Sequence, residues 1–325
     1  MLYLGFDIVV TNTGEVFVLE INDSPGDIYG SLIPNKNVSN KYVSFLKLAK
    51  LKGINNIIIM LSDKYECNSV NELFSIHLKT NDLLSGQILW LYKQSKKQGI
   101  NLEIVDYESS KTISSTDSIF IRRGTRSLNF HGLVEINPLA VRDLCRDKYL
   151  CHKILRSNHV PSVDTYLYQR KGCTISKPRY GYGSIDVSLV TDKALPSSLN
   201  DFVYQEKMSL DSVNINGFDY HYDIRVNMLA GKVMCEIVRI SACPNNGIFE
   251  ATDEAVWLTS TGDSIERMVF DGENSIPWDK IEDVCRKAYE TIHQHFNQEF
   301  PKYYKSKIDP YKAFRIQRKG VVSAR

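Results

Sequence analysis

The sequence has no CxxC pair, no GxxxxGK(S/T) loop, no internal repeat and no apolar run of about 18 residues. Without a long apolar run, no membrane-spanning helix and no membrane partner are expected. Without a basic stretch leading into an apolar core and a small-residue cleavage site, no signal peptide is expected. The seven cysteines, Cys67, Cys145, Cys151, Cys173, Cys235, Cys243 and Cys285, are odd in number and dispersed. That usage favours reduced thiols and a cytoplasmic location over a disulfide framework or a zinc site. His293 and His295 fall on different sides of a helix and make a poor metal pair. No clear Ser-His-Asp or Cys-His set is present. Neither charge dominates: a net charge of +2 over 325 residues carries no polyanion signature, so no nucleic-acid partner is expected. What the chain does have is length and 43% hydrophobic residues, enough for a large core in two or three lobes.

The most informative stretch is the first two dozen residues. Two apolar, β-branched runs, Leu4–Val10 and Val16–Asn22, flank Thr11-Asn12-Thr13-Gly14-Glu15, a pattern that predicts a hairpin. Strand alternation puts Phe6, Ile8 and Val10 on one face and Asp7 on the other, while Glu20 and Asn22 share a face of the second strand. Oxygen donors converging without His or Cys suit a hard cation such as Mg²⁺. An amphipathic hairpin with ordinary polar residues would show the same alternation.

Further along, residues 41–51 predict a short helix, 56–61 a buried strand, 81–98 a helix capped by Asn81 or Asp82, and 102–107 and 118–122 two strands. This succession indicates a small α/β lobe. A single helix is predicted over 139–157, with Asp147-Lys148 inside it. Strands are predicted over 165–168, 174–177 and 201–208, and a second hairpin over 222–240 turning at Ala230-Gly231. A helix over 275–296 starts with Pro277 and an acidic first turn. The last 25 residues are basic with one Asp, either a solvated tail or an aid to binding an anion.

Lys177-Pro178 before Gly181-Tyr182-Gly183-Ser184 is a candidate phosphate-binding hairpin, since glycine lets backbone N–H groups approach phosphate oxygens and lysine adds a charge. Residues 203–208 read as a strand running into a hinge, with backbone groups able to pair with an adenine edge. Arg225 and Arg239 fall on adjacent strands, where arginine is seldom buried without an anion. Arg122, Arg123 and Arg126 either bind a substrate carboxylate or cap a solvated edge.

Taken in order, Asp147-Lys148, Val160-Pro161, Lys177-Pro178 with its Gly loop, Tyr204-Gln205-Glu206, Asp223-Ile224-Arg225 and Val238-Arg239 resemble the ATP-grasp superfamily, nearest to its RimK-like and glutathione-synthetase-like carboxylate–amine ligases. That family closes its domain with a strand bearing Asp and a strand bearing Glu-x-Asn. Nothing after Arg239 supplies them, but Gly5-Phe6-Asp7 and Leu19-Glu20-Ile21-Asn22-Asp23-Ser24-Pro25-Gly26 match that ending at the N-terminus. A circular permutation accounts for the displacement, and termini lying close together would tolerate it. The rival account makes residues 1–30 the tail of a different, truncated unit.

The resemblance implies an α/β ATP-grasp fold in four parts. These are a metal-ligand hairpin (1–36), a preceding α/β lobe (37–136), the nucleotide-binding lobes (137–300) and a basic tail (301–325). It further implies that Asp7, Glu20 and Asn22 hold Mg²⁺, that Lys148 and Lys177 contact ATP phosphates, and that Gly181, Gly183 and Ser184 form a loop over them. Gln205, Glu206, Lys207 and Met208 would flank adenine, Asp211 (or Ser212) would touch the ribose, and Arg225 and Arg239 would stabilise the transferring phosphoryl group. The implied activity joins a small-molecule or peptide carboxylate to an amine through an acyl phosphate. The alternatives are a small-molecule kinase acting on a hydroxyl and a non-catalytic nucleotide-binding protein. A homodimer would be the commonest symmetric assembly.

Overall fold

The computed structural model describes residues 1–23, 36–61, 67–80, 83–106, 109, 116–122, 134–170, 173–180, 187–190, 201–215, 218–240, 267–268 and 276–305. The chain opens with the expected hairpin, β1 (Tyr3–Val10) and β2 (Val16–Asn22). Its turn places Gly14 at φ +73°, a conformation that costs glycine nothing. The ladder shifts register after Asp7: Asp7 faces Glu20, but Ile8 faces Val18. This bulge brings Glu20 directly opposite Asp7 and leaves Gly5 opposite Asn22.

The next segment is the α/β lobe. It comprises α1 (Lys36–Leu51), β3 (Asn56–Met60), α2 (Val70–Thr80), α3 (Leu83–Lys97), β4 (Asn101–Val105), β5 (Ser118–Arg122) and β6 (Val134–Ile136). Its four strands are parallel in the order β4-β3-β5-β6. Ile57, Ile59, Ile119 and Ile136 pack with Leu46 of α1 and Ile88 of α3. Helix α2 has no counterpart in the sequence prediction. Leu73 is its one buried residue, while Phe74 and Leu78 face solvent.

Residues 139–157 form two helices, α4 (Leu139–Arg146) and α5 (Lys148–Ser157), instead of the single one predicted. Asp147 makes the break. Its backbone is extended and its side chain accepts the Leu150 N–H at 3.0 Å, an N-cap that starts a new helix where the apolar periodicity runs on. Next come β7 (Thr165–Tyr166), β8 (Cys173–Pro178), β9 (Ser188–Leu189) and β10 (Phe202–Glu206), an antiparallel sheet in the order β7-β10-β8-β9.

The chain then returns to the first hairpin through β11 (Ser212–Ile215), β12 (Phe218–Leu229), β13 (Lys232–Ile240), β14 (Arg267–Met268) and α6 (Trp278–Lys305). The large sheet runs β14-β13-β12-β1-β2, with β11 also paired to β12, so β1 lies inside it. One face of β1 and β12, carrying Leu4, Phe6, Ile8, Tyr222, Ile224 and Val226, packs with Val141, Leu155, Ile281 and Ala288 of α4, α5 and α6. Lys280 donates to the Gly14 carbonyl at 3.3 Å and the Tyr289 hydroxyl to the Leu2 carbonyl at 3.2 Å. Helix α6 therefore runs from the β1–β2 turn back toward the start of β1, and continues to Lys305, into the stretch read from sequence as a tail. Among the described residues no helix is long and apolar enough to cross a membrane.

Candidate functional site

The opposite face of the large sheet is polar at one end. The register β2–β1–β12 aligns Glu20, Asp7 and Arg225 in one row, with Asn22 opposite Gly5 beside it. Asp223 sits two residues before Arg225 and faces Arg239 of β13. These residues bond as a network. Arg225 grips Asp7 through Nε at 2.7 Å and Nη2 at 2.8 Å, Arg239 reaches the same carboxylate at 3.0 Å, and Asn22 donates to it at 3.1 Å. Arg239 also forks onto Asp223, through Nε at 2.7 Å and through Nη2. Both Asp223 and Arg239 are buried, which is tolerable only because each charge has a bidentate partner.

Two lysines arrive from other elements. Lys148, the first residue of α5, lies 3.5 Å from Glu20. Lys177 of β8 is buried and close enough to Glu20, Lys148 and Asp7 to feel their charges. Thus Asp7, Glu20, Asn22, Lys148, Lys177, Arg225 and Arg239, spread over more than two hundred residues of chain, meet in one place.

Burial alone would raise the Asp7 carboxyl, but Arg225 and Arg239, with the Asn22 bond, hold it below the usual carboxylate range. Burial pushes the Lys177 ammonium down to about 8, assisted by Lys148 and opposed by Glu20 and Asp7. Burial pushes Asp223 up to about 7 against the pull of Arg239.

The oxygen chemistry of Asp7, Glu20 and Asn22 suits Mg²⁺, but their fit is uneven. Asp7 already accepts hydrogen bonds from Arg225 and Asn22 and pairs with Arg239, so it would have to release a guanidinium to take a cation. Glu20 and Asn22 carry no such load. Among the described residues no group of three or more His, Cys, Asp or Glu is disposed to hold a metal ion.

Asp147 ties α5 to the end of β8. Besides capping α5 it accepts two bonds from Arg179, at 2.8 and 2.6 Å, and one from the Tyr180 hydroxyl at 3.2 Å. The Lys148 N–H donates to the Arg179 carbonyl at 3.1 Å. Both lysine-bearing elements are therefore tied to each other just before Gly181. Gly181, Gly183 and Ser184 lie outside the described residues, as do Arg123 and Arg126.

The residues expected around adenine lie at the end of β10 and in the segment that follows it. Gln205 is buried and donates to the Thr165 hydroxyl at 2.7 Å, a bond that joins β10 to β7. Glu206 and Lys207 are exposed and Met208 is half-buried. Asp211 accepts from the Tyr222 hydroxyl at 3.0 Å and from the Ser212 N–H at 2.9 Å. Among the described residues none of these five bonds to the charged row. The segment between them does touch the hairpin: Asn12 N–H donates to the Ser209 carbonyl at 3.1 Å and Asp211 N–H to the Val10 carbonyl at 2.8 Å.

Three participants had no sequence signal of their own. Asp23, directly after Asn22, pairs with Arg142 of α4 at 2.6 Å. The Asn137 carboxamide accepts from the Tyr3 N–H at 2.7 Å and donates to the Tyr3 and Asp23 carbonyls, fastening the end of β6 to both strands of the hairpin. Asn227 sits opposite Gly5, fully buried, and among the described residues neither its Oδ1 nor its Nδ2 has a hydrogen-bond partner.

No family model and no curated protein matches this chain. In three dimensions it is similar to the crystal structure of a provisionally assigned gamma-glutamylcysteine synthetase from Methylobacillus flagellatus KT. The two share 10% sequence identity at a TM-score of 0.49, over 90% of this chain and 89% of that one.

Proposed function

We propose that the protein is an ATP- and Mg²⁺-dependent ligase of the ATP-grasp type, joining a carboxylate to an amine. The observation that carries this reading is the convergence of Asp7, Glu20 and Asn22 with Lys148, Lys177, Arg225 and Arg239 on one face of the sheet. Four cationic side chains around a carboxylate pair form a receptor for a polyphosphate and its counter-ion. No protein nucleophile is needed. A carboxylate oxygen of the substrate attacks the γ-phosphorus of ATP, and the P–O bond to the β-phosphate breaks to release ADP. The amine nitrogen then attacks the acyl carbon, the acyl C–O bond breaks to release phosphate, and the nitrogen loses a proton.

The chain's residues supply position and charge for these steps. Lys148 and Lys177 hold phosphate oxygens. Arg225 and Arg239, prealigned by Asp7 and Asp223, face the charge that builds as the phosphoryl group moves. Glu20 and Asn22 would hold Mg²⁺, which when bound neutralises phosphate charge. A circular permutation is supported by the inclusion of the 1–22 hairpin within the large sheet and by the course of α6 back toward the start of β1. On this reading residues 1–36 complete a nucleotide-binding unit built from 137–300, and 37–136 form the preceding lobe.

Hydroxylamine trapping tests the chemistry. Incubated with Mg·ATP, hydroxylamine and a panel of carboxylic acids, the protein is expected to release ADP and to form the hydroxamate of one acid. A stable phosphorylated hydroxyl compound in place of a hydroxamate would assign a kinase instead. Bound Mg·ATP with neither product across the panel would count against catalysis.

A further inference from the structure

Helix α2 (Val70–Thr80) packs on α3 at the surface of the α/β lobe. Leu73 is buried in the lobe's core, Val70 and Ile76 are half-buried beside it, and His77 Nδ1 lies 2.8 Å from the hydroxyl of Ser85 on α3. Those four positions share one face of the helix. The other side carries Phe74 and Leu78, 49% and 70% exposed, as neighbours at i and i+4. Two large apolar side chains therefore meet solvent where an amphipathic helix normally turns polar groups outward.

The outward side has an order. At 100° per residue, Phe74 and Leu78 fall toward one edge, Ser75 near the middle, and Glu72 and Lys79 toward the other edge. Ser75, Glu72 and Lys79 are all exposed. Glu72 is held at the N-terminal end by a reciprocal cap: its Oε2 accepts the Asn68 N–H at 2.7 Å and its own N–H donates to the Ser69 hydroxyl at 3.2 Å. Ser75 donates its hydroxyl to the Asn71 carbonyl at 3.1 Å, so it adds little bulk to the middle of the face.

This order is self-complementary. Phe74 and Leu78 straddle Ile76, and Glu72 and Lys79 straddle nearly the same point, between Ser75 and Ile76. A two-fold axis through that point sets a second copy of α2 antiparallel beside the first and keeps each edge on its own side. Phe74 then meets Leu78 of the second copy along one edge. Glu72 meets Lys79 of the second copy along the other. Each contact occurs twice, and Ser75 lies beside its own counterpart, where a small residue lets the two helices approach. An unrelated partner would have to match both the apolar pair and the charges; a second copy matches them by symmetry.

We propose that α2 is a homodimer interface whose partner is α2 of a second copy of this chain, packed antiparallel about a two-fold axis beside Ser75. Removal of Phe74 and Leu78 from water drives the association, and the two Glu72–Lys79 contacts at the rim set its direction more than its strength. A helix of 11 residues is about 16 Å long, so the contact is smaller than the roughly 800 Å² per partner of a standard stable interface. The dimer is therefore reversible, with a dissociation constant in the micromolar range. It uses no residue of the charged row and does not depend on the ligase reading.

The test is sedimentation equilibrium of the full-length protein from about 1 µM to 0.3 mM, a range that brackets a micromolar dissociation constant. A reversible monomer–dimer equilibrium is expected. Leu78→Glu, at an exposed position where folding is retained, is expected to weaken the dimer at least tenfold. Lys79→Glu sets carboxylates face to face at both rim contacts and is expected to weaken it severalfold. Cross-linking fixes the geometry: under a mild oxidant, with the wild type as blank, Ser75→Cys is expected to give a covalent dimer. Thr80→Cys, at the end of the helix and turned away from that face, is expected to give none. A monomer throughout the range would overturn the proposal, as would a dimer unmoved by Leu78→Glu. A response to Leu78→Glu without one to Lys79→Glu, or cross-linking through Thr80→Cys as readily as through Ser75→Cys, would overturn the antiparallel pairing.

Discussion

Asp7 and Arg225, separated by 218 positions in sequence, face each other across β1 and β12 and are joined by two bonds of 2.7 and 2.8 Å. The pair is nearly closed to solvent, and Arg239 adds a third link to the same carboxylate. Removing one partner leaves a buried charge uncompensated, at a cost of about 3–5 kcal/mol. Asp7→Ala should therefore lower the urea midpoint by a large margin. The Asp7→Leu/Arg225→Leu variant should lose less, because Arg239 keeps Asp223. Equal losses in the two variants would show that the pair is not the source.

Asp147 tests the tie between the two lysine-bearing elements. Asp147→Ala removes both the N-cap of α5 and the fork to Arg179. The cap contributes about 1 kcal/mol, with a smaller addition from the partly exposed ion pair. Asp147→Asn retains a capping oxygen and should recover most of the cap. Denaturant midpoints of the two variants check this ordering.

Lys177 gives the protein a pH signature. Its ammonium is lowered to about 8, chiefly by burial, so in the free protein it releases its proton as pH rises through 8. A phosphate ligand needs the protonated form. ATP affinity should therefore fall above about pH 8, and binding at pH 8.5 should take up a proton, readable as a dependence of calorimetric enthalpy on buffer. In the unfolded chain Lys177 keeps its proton to higher pH, so between the two values the unfolded state binds more protons and this residue's contribution to stability rises with pH. Lys177→Met should abolish the proton uptake.

The β12–β13 turn places Ala230 at φ +51° and Gly231 at φ +78°. Two positive φ angles define a type I′ turn, which favours Asn-Gly over Ala-Gly. Ala230→Asn should stabilise the protein by about 0.5–1 kcal/mol without altering ligand binding, as thermal unfolding and titration would show.

These sites also mark how far the sequence could be followed. Both hairpins were legible, because Asn-Thr-Gly and Ala-Gly stand between alternating apolar runs. Asp7, Glu20 and Asn22 were legible as one constellation, because strand alternation is strict and short-range. The Asp147 break was hidden, since apolar periodicity continues through it and only the cap bond reveals the restart. The insertion of β1 beside β12 could be inferred only through a family resemblance, because residue spacing says nothing about which distant strands pair. Gln205 carries a bond its motif does not announce: its side chain donates to the Thr165 hydroxyl and joins β10 to β7. Asn227 carries no pattern at all, because only the fold buries its carboxamide.

On the ligase reading the N-terminal hairpin belongs to the nucleotide site. The most direct measurement is calorimetric Mg·ATP binding by the wild type and by a Glu20→Ala/Asn22→Ala variant whose folding is verified by circular dichroism. Metal-dependent binding that the variant loses, or retains at least tenfold more weakly, is the predicted result. Equal affinity in both proteins would separate the hairpin from the site and contradict the account.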